Sequence, residues 1–130
     1  MTRIVLDASA VLALLQGEPG ADVVRDALTT GARGTIGAVN LAEVITKLID
    51  KGWAPQIAAQ ALDDLPCDVL SMDRAAAIQA GMLHARLRRR DISLADSFCI
   101  ALAAAEQVPV LTADRAWATL GLDVEVQLIR

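Results

Sequence analysis

The sequence has few of the side chains that build thiol, imidazole and aromatic sites. It contains no tyrosine, one phenylalanine, two tryptophans, two cysteines and one histidine in 130 residues. Cys67 and Cys99 lie far apart without CxxC spacing, so neither a zinc site nor a thiol redox pair is indicated. The scarcity of aromatic residues argues against a base-stacking surface for single-stranded nucleic acid.

The sequence also lacks long apolar runs and any strong positive charge. No apolar segment approaches the ~18 to 20 residues of a membrane span, although 55% of the residues are hydrophobic. The first residues, MTRIVLD, resemble the start of a strand and not a signal peptide, so we expect a cytoplasmic, soluble protein without a membrane partner. A length of 130 residues predicts one domain over residues 1–130, with a substantial core.

Short apolar runs alternate with helical patterns along the chain. Strands are predicted at 3–6, 34–38, 67–70, 109–112 and 123–129, and a helix that is apolar almost all round at about 8–16. Further apolar positions recur at helical spacing near 41–48, 54–65 and 94–105. We therefore expect an α/β fold, with a mostly parallel sheet flanked by helices on both faces.

Four acidic residues follow the predicted strands or open the helices after them. Asp7 follows the first strand, Glu43 lies in the first turn of the next helix, Asp96 opens the helix near 94, and Asp114 follows the fourth strand. Carboxylates near a helix N-terminus are often only caps. Ser93 with Asp96 has capping-box spacing, and so do Asn40 and Glu43.

Taken together, the four carboxylates favour a metal site. The carboxyl ends of parallel strands share one edge of a sheet, so all four side chains are expected near that edge. Clustered carboxylates raise one another's pKa unless cations compensate their charge. Oxygen ligands without histidine or cysteine select Mg²⁺ or Mn²⁺, and such sites commonly serve phosphoryl chemistry.

The net charge of −4 confines any nucleic-acid contact to a local patch. One basic cluster could follow a phosphate backbone, and it consists of Arg86, Arg88, Arg89 and Arg90. Cations near a helix C-terminus explain the same cluster equally well. A receiver domain is disfavoured because the chain has no lysine beyond Lys51, and no GxxxxGK[ST] or GxGxxG motif supports a nucleotide-binding loop.

Four segments together resemble the PIN-domain ribonucleases, specifically the VapC-type toxins of bacterial toxin-antitoxin pairs. The segments are IVLDASAVLALL, NLAEV, SLADSFCIALA and VLTADRAW, and the resemblance extends over nearly the whole chain. The family's acidic positions correspond to Asp7, Glu43, Asp96 and Asp114, and polar positions beside them correspond to Ser9, Asn40 and Thr112.

This resemblance implies a five-stranded parallel sheet and endonucleolytic cleavage of RNA that depends on Mg²⁺ or Mn²⁺. Asp7 and Asp96 would be direct metal ligands, Glu43 would bind a metal or its water, and Asp114 would act through water or by supporting the direct ligands. Ser9 and Thr112 would orient carboxylates or water. The resemblance also implies a homodimer and a cognate antitoxin whose C-terminal segment lies in a groove beside the site. The arginine cluster at 86–90 would contact RNA or antitoxin.

A second hypothesis remains open on the residues themselves. The chain would then be a catalytically silent PIN-like interaction module, in which the acidic residues only cap helices and the apolar helices bind a protein partner. That module would show no saturable Mn²⁺ binding, whereas the nuclease requires it.

Overall fold

A computed structural model describes residues 3–130, which form five strands and six α-helices. The strands are β1 (Arg3–Leu6), β2 (Arg33–Gly37), β3 (Cys67–Leu70), β4 (Val110–Thr112) and β5 (Val126–Leu128). The helices are α1 (Ala8–Gln16), α2 (Ala21–Thr29), α3 (Ala38–Asp50), α4 (Pro55–Asp63), α5 (Arg74–Leu87) and α6 (Leu94–Glu106). Two short 3₁₀ helices span Arg88–Arg90 and Arg115–Thr119.

All the strands pair in parallel, in the order β3-β2-β1-β4-β5. This confirms the predicted α/β class and the parallel sheet. The fifth strand is shorter than the predicted segment 123–129, because a bend at residues 123–124 precedes it.

Two apolar cores cover the two faces of the sheet. Ile4 and Leu6 of β1 pack into a core with α1 to α4, whereas Val5 packs into a second core with α5, α6 and Trp117. Successive side chains of a strand point to opposite faces, which explains why the consecutive apolar residues of β1 are buried on both sides of the sheet. The helices therefore lie on both faces, as predicted.

Local sequence signals fix where several helices begin. Ser93 and Asp96 form the predicted capping box of α6, with Asp96 N donating to Ser93 Oγ at 3.0 Å and Ser93 N donating to Asp96 Oδ2 at 3.2 Å. Asp73 caps α5 through a 2.8 Å bond from Ala76 N, and Pro55 begins α4 at a position where its missing N–H costs nothing.

The end of β2 lies unusually close to α6. A Cβ atom at Gly37 would overlap the ring of Phe98 and would lie 2.9 Å from Asn40 Oδ1. Glycine at this position allows α3 to start immediately after β2 and beside the first turn of α6. Among residues 3–130, no helix combines the length and the apolar character needed to cross a membrane.

Candidate active site

The candidate site lies at the carboxyl edge of the sheet, where strand order reverses. β1 stands between β2 and β4, and the crossovers from these strands lead to helices on opposite faces. Ligands of open α/β sheets bind in the crevice beyond the strand ends at such a switch point. Asp7 directly follows β1 and Thr112 ends β4, so both side chains belong to this crevice.

Asp7 is a buried carboxylate that does not cap its helix. It occupies the N-cap position of α1 with 4% of its surface exposed, yet its side chain accepts no hydrogen bond from the helix backbone. Its Oδ2 instead accepts hydrogen bonds from Ser9 Oγ at 2.6 Å and from Thr112 Oγ1 at 2.9 Å. The capping interpretation therefore fails for this residue.

Burial raises the pKa of Asp7 from 3.8 to about 6. The hydrogen bonds from Ser9 and Thr112 oppose this rise, and the negative charges of Asp96 and Glu43 add to it. Among residues 3–130, no cationic side chain forms an ion pair with Asp7. Its carboxylate thus carries an electrostatic cost that a bound cation would relieve.

Ser9 and Thr112 connect Asp7 to the end of β4. Ser9 Oγ accepts a 2.9 Å hydrogen bond from Ala113 N, and Thr112 Oγ1 accepts one of 3.0 Å from Asp114 N. The two hydroxyl oxygens lie 3.3 Å apart. Because both hydroxyls are held by backbone N–H groups, they fix the orientation of the Asp7 carboxylate.

Glu43 lies in the second turn of α3, which corrects the prediction that it lies in the first. The helix already begins at Ala38 with Gly37 as its N-cap, so Asn40 is inside the helix and the predicted Asn40–Glu43 capping box is wrong. The fully buried Asn40 donates from Nδ2 to Glu43 Oε1 at 2.9 Å and to Ala95 O at 3.1 Å. Asn40 therefore orients Glu43 and ties α3 to the first turn of α6.

The charges of three of the four acidic residues raise the pKa of the Cys99 thiol. This thiol is fully buried, and burial raises its pKa well above 9, with further contributions from the charges of Asp7, Asp96 and Glu43. The same two carboxylates, Asp96 and Glu43, raise the pKa of Asp7. The charges of Asp7, Glu43 and Asp96 therefore act on the same buried region, although the structure does not bring these side chains together as a bound ion would need.

Asp114 stands apart from these three acids. Its side chain is exposed, and Oδ1 accepts a 3.0 Å hydrogen bond from Ala116 N at the start of the 3₁₀ helix Arg115–Thr119. Its connection to the site is the bond from its backbone N–H to Thr112. The fourth predicted acid is therefore a cap in this structure, at the margin of the crevice.

The donor set of the site suits a hard divalent ion. The candidate ligands are the carboxylates of Asp7, Glu43 and Asp96, with oxygen atoms only, as Mg²⁺ and Mn²⁺ prefer. Within residues 3–130, no three His, Cys, Asp or Glu side chains are grouped as a bound ion would need. Asn40 holds Glu43 and the capping box holds Asp96, so closing the set around an ion requires side-chain rotation at these positions.

The arginine cluster lies between the end of α5 and the start of α6. Arg86 lies in the last turn of α5, and Arg88–Arg90 form a 3₁₀ helix of exposed side chains. Arg90 Nη2 donates to Thr119 O at 3.2 Å, and Arg86 lines a groove with α6 and residues 121–124. These cations lie near the C-terminus of a helix, where they complement its dipole.

A feature missed by the sequence reasoning is a cavity of about 390 Å³ that begins at Ser9. Its cationic residues are Lys47, Lys51 and Arg130. The available signal was the four-residue spacing of Glu43, Lys47 and Lys51, which places them along one side of α3. The structure describes no Glu43–Lys47 ion pair among residues 3–130.

The chain matches a known protein family, and several solved structures have a similar fold. The PIN domain family model matches residues 4–121. Three similar solved structures are VapBC2 from Rickettsia felis bound to a promoter DNA fragment, DNA-bound VapBC from Salmonella typhimurium, and Mycobacterium tuberculosis VapC20, a toxin that cleaves the sarcin-ricin loop.

The chain shares the fold of these structures over nearly its whole length, but its sequence identity to them is low. The Rickettsia match has 14% identity and a TM-score of 0.75 over 98% of each chain, and the Salmonella match has 20% and 0.74 over 100% of each chain. The Mycobacterium match has 16% identity and a TM-score of 0.73 over 92% of this chain and 95% of the other. No curated protein sequence matches the chain. Since the family model extends over most of the sequence and the parallel sheet agrees with it, this chain belongs to the PIN-domain family.

Proposed function

We propose that this chain is a VapC-type toxin, an endoribonuclease that hydrolyses RNA phosphodiester bonds with Mg²⁺ or Mn²⁺. The observation that carries the proposal is Asp7, a buried carboxylate that caps nothing and pairs with no described cation. Membership of the PIN family and the likeness to VapBC and VapC structures support the toxin and nuclease assignment.

The residues of the site divide the work between metal binding and orientation. Asp7, Glu43 and Asp96 would hold the ion directly, and Asp114 would act through water from the margin of the site. When bound, the ion supplies an activated water nucleophile and neutralises charge on the scissile phosphate. Ser9 and Thr112 keep Asp7 Oδ2 in a fixed orientation, and Asn40 does the same for Glu43.

The competing hypothesis is a silent interaction module whose acids are caps. Asp96 and Asp114 do cap helices, which is the observation in its favour. Asp7 and Glu43 do not cap anything, and this hypothesis gives no reason why their charges act on the same buried region. Mn²⁺ titration of the purified protein separates the two, since a module of caps predicts no saturable binding.

The proposal includes two protein partners. The similar complexes from Rickettsia felis and Salmonella typhimurium pair a toxin with its antitoxin, which supports a cognate antitoxin for this chain. We also propose a cytoplasmic homodimer. Ile78 and Met82 of α5 expose 44% and 61% of their surfaces, and an interface would remove this apolar surface from water.

The direct test is cleavage of a mixed cellular RNA pool by antitoxin-free protein. Discrete fragments should form with Mg²⁺ or Mn²⁺, should be absent with EDTA, and should disappear in Asp7→Asn and Asp96→Asn. Asp123→Asn is a matched control, because Asp123 is an exposed loop residue outside the site. Metal-dependent cleavage that persists in Asp7→Asn would show that the activity does not come from this site.

A further inference from the structure

A cavity of about 390 Å³ opens next to the acidic site, between α1, α3 and the last residue of the chain. We call it the Lys47 cavity. Its lining residues are Ser9, Leu12, Gln16, Glu18, Lys47, Asp50, Lys51 and Arg130. Three cationic and two carboxylate side chains are among them.

The cavity and the acidic site share a residue. Ser9 lines the cavity, and its hydroxyl lies 2.6 Å from Asp7 Oδ2. On α3, Glu43 is followed at four-residue intervals by Lys47 and then by Lys51, just past the helix end. One side of this helix therefore runs from a candidate metal ligand to two lysines within three turns.

The cavity lysines are not needed for ion pairs inside the described structure. The ion pairs among residues 3–130 join Arg3 and Arg33 to Asp68 and Arg3 to Glu106, at the amino ends of the strands and away from the site. Lys47 and Lys51 are exposed and form no such pair with a described residue. Their charges remain available to a ligand.

Arg130 is held in position by the packing of the C-terminal residues. Its Nη1 donates to Pro19 O at 2.7 Å, and the preceding Ile129 N donates to Thr112 O at 3.0 Å. Gly20 has φ of 97°, and a Cβ atom there would lie 2.6 Å from Ile129 O, so only glycine permits this approach. An arginine held in this way retains further N–H donors for an anion.

We propose that the Lys47 cavity binds a backbone phosphate of the RNA beside the bond that is cut. Arg130 would bind this phosphate through paired N–H donors and the two lysines as point charges. Such contacts position an RNA strand without reading its sequence. The inference rests on the proposed ribonuclease function, and it assigns RNA binding to this cavity and not to Arg86–Arg90.

The test compares two pairs of cations by RNA binding. A labelled RNA oligonucleotide is titrated in EDTA at several salt concentrations with wild type, Lys47→Ala/Lys51→Ala and Arg88→Ala/Arg89→Ala. Each phosphate that the protein neutralises adds about 0.7 to the steepness of log K against log salt for a single strand, so losing the one phosphate contact in this cavity should reduce the steepness by about 0.7. The arginine variant should keep the wild-type slope. Circular dichroism and thermal melts verify that both variants fold.

Activity assays give a second readout that separates this inference from the proposed function. With Mn²⁺, the lysine variant should show at least a tenfold higher KM for RNA and an unchanged kcat/KM for bis(p-nitrophenyl) phosphate, which has no neighbouring phosphate. If wild type cleaves RNA and the lysine variant keeps its KM and salt slope, the subsite is refuted alone, and an acidic protein partner becomes the better candidate for the cavity. The subsite is also refuted if the lysine variant and the arginine variant lose RNA affinity and salt dependence equally. A wild type that neither binds nor cleaves RNA overturns both proposals.

Discussion

Replacing Asp7 by asparagine should stabilise the metal-free protein at neutral pH. The carboxylate is 4% exposed, and the described structure offers it hydroxyl partners but no ion pair. Asparagine has nearly the same shape and retains an oxygen that can accept the hydrogen bonds from Ser9 and Thr112. The substitution therefore removes a buried charge and keeps its contacts.

The magnitude follows from the pKa of Asp7, which rises from 3.8 to about 6 on folding. A pKa difference of about 2, at ~1.4 kcal/mol for each pKa unit, corresponds to about 3 kcal/mol. The native state binds more protons than the unfolded chain between pH 3.8 and about 6, so the free energy of unfolding falls as pH rises through this window. The loss is complete above pH 6 and absent well below pH 4.

Urea unfolding in EDTA from pH 4 to pH 8 measures this effect. The asparagine variant should exceed wild type by about 3 kcal/mol at pH 7.5, and the difference should largely vanish near pH 4. Taking the difference between the proteins cancels other titrations, such as that of Asp68, whose pKa is lowered by its hydrogen bond to Arg33 and whose contribution has the opposite sign. Asp123→Asn, in an exposed loop, should parallel wild type at every pH.

The reasoning is refuted if the difference between Asp7→Asn and wild type does not change with pH. It is equally refuted if asparagine destabilises the protein at pH 7.5, since Asp7 would then be making a favourable charged interaction. A difference that appears only with Mn²⁺ present would show that the charge is costless without metal.

Other consequences follow from the same contacts. Saturating Mn²⁺ should raise the melting temperature of wild type by several degrees and leave Asp7→Asn unchanged, as a thermal shift assay will show. Cys99, buried with a raised pKa, should react with a thiol reagent only after unfolding. Trp117 is 1% exposed and its Nε1 has no described hydrogen-bond partner. In denaturant unfolding, Trp117→Phe should therefore change the free energy of unfolding little, whereas Trp117→Ala should lower it by about 3 to 5 kcal/mol. Asp96→Ala should lower the free energy of unfolding by about 1 kcal/mol because the capping box is lost, and Asp96→Asn should lower it less. Both substitutions should abolish cleavage in the RNA assay.

Most of the fold could be predicted because the signals that specify it are local. The continuous apolar run of Ile4, Val5 and Leu6 and the capping box at Ser93 each act over a few residues. The order of the strands is set by contacts between distant segments. Neither the periodicity nor the resemblance to the PIN family predicted this order; the resemblance implied only the number of strands and their parallel direction.

The candidate site was predicted less completely, because the hydrogen-bond partners of its side chains come from distant parts of the chain. Asn40 and Glu43 have the spacing of a capping box, but β2 runs into α3 without a loop, so the helix starts earlier and Asn40 bridges to Ala95 instead. The spacing of Ser93 and Asp96 looks the same and is a true cap. Sequence spacing alone does not distinguish these outcomes, since they depend on where the preceding strand ends.

The four acids show how the same residue type acquires different roles from its partners. Asp96 and Asp114 lower the energy of helix ends, so capping gives each of them a role in stability. Asp7 occupies a cap position, makes no cap and raises the energy of the metal-free fold, although an asparagine would fit the same contacts. A residue that lowers the stability of the fold, at a position where a neutral residue of the same shape would not, indicates a function. The charges of Glu43 and Asp96, which raise the pKa of Asp7 further, support the proposal that this function is binding of a cation, because a cation would make the ionised carboxylate favourable.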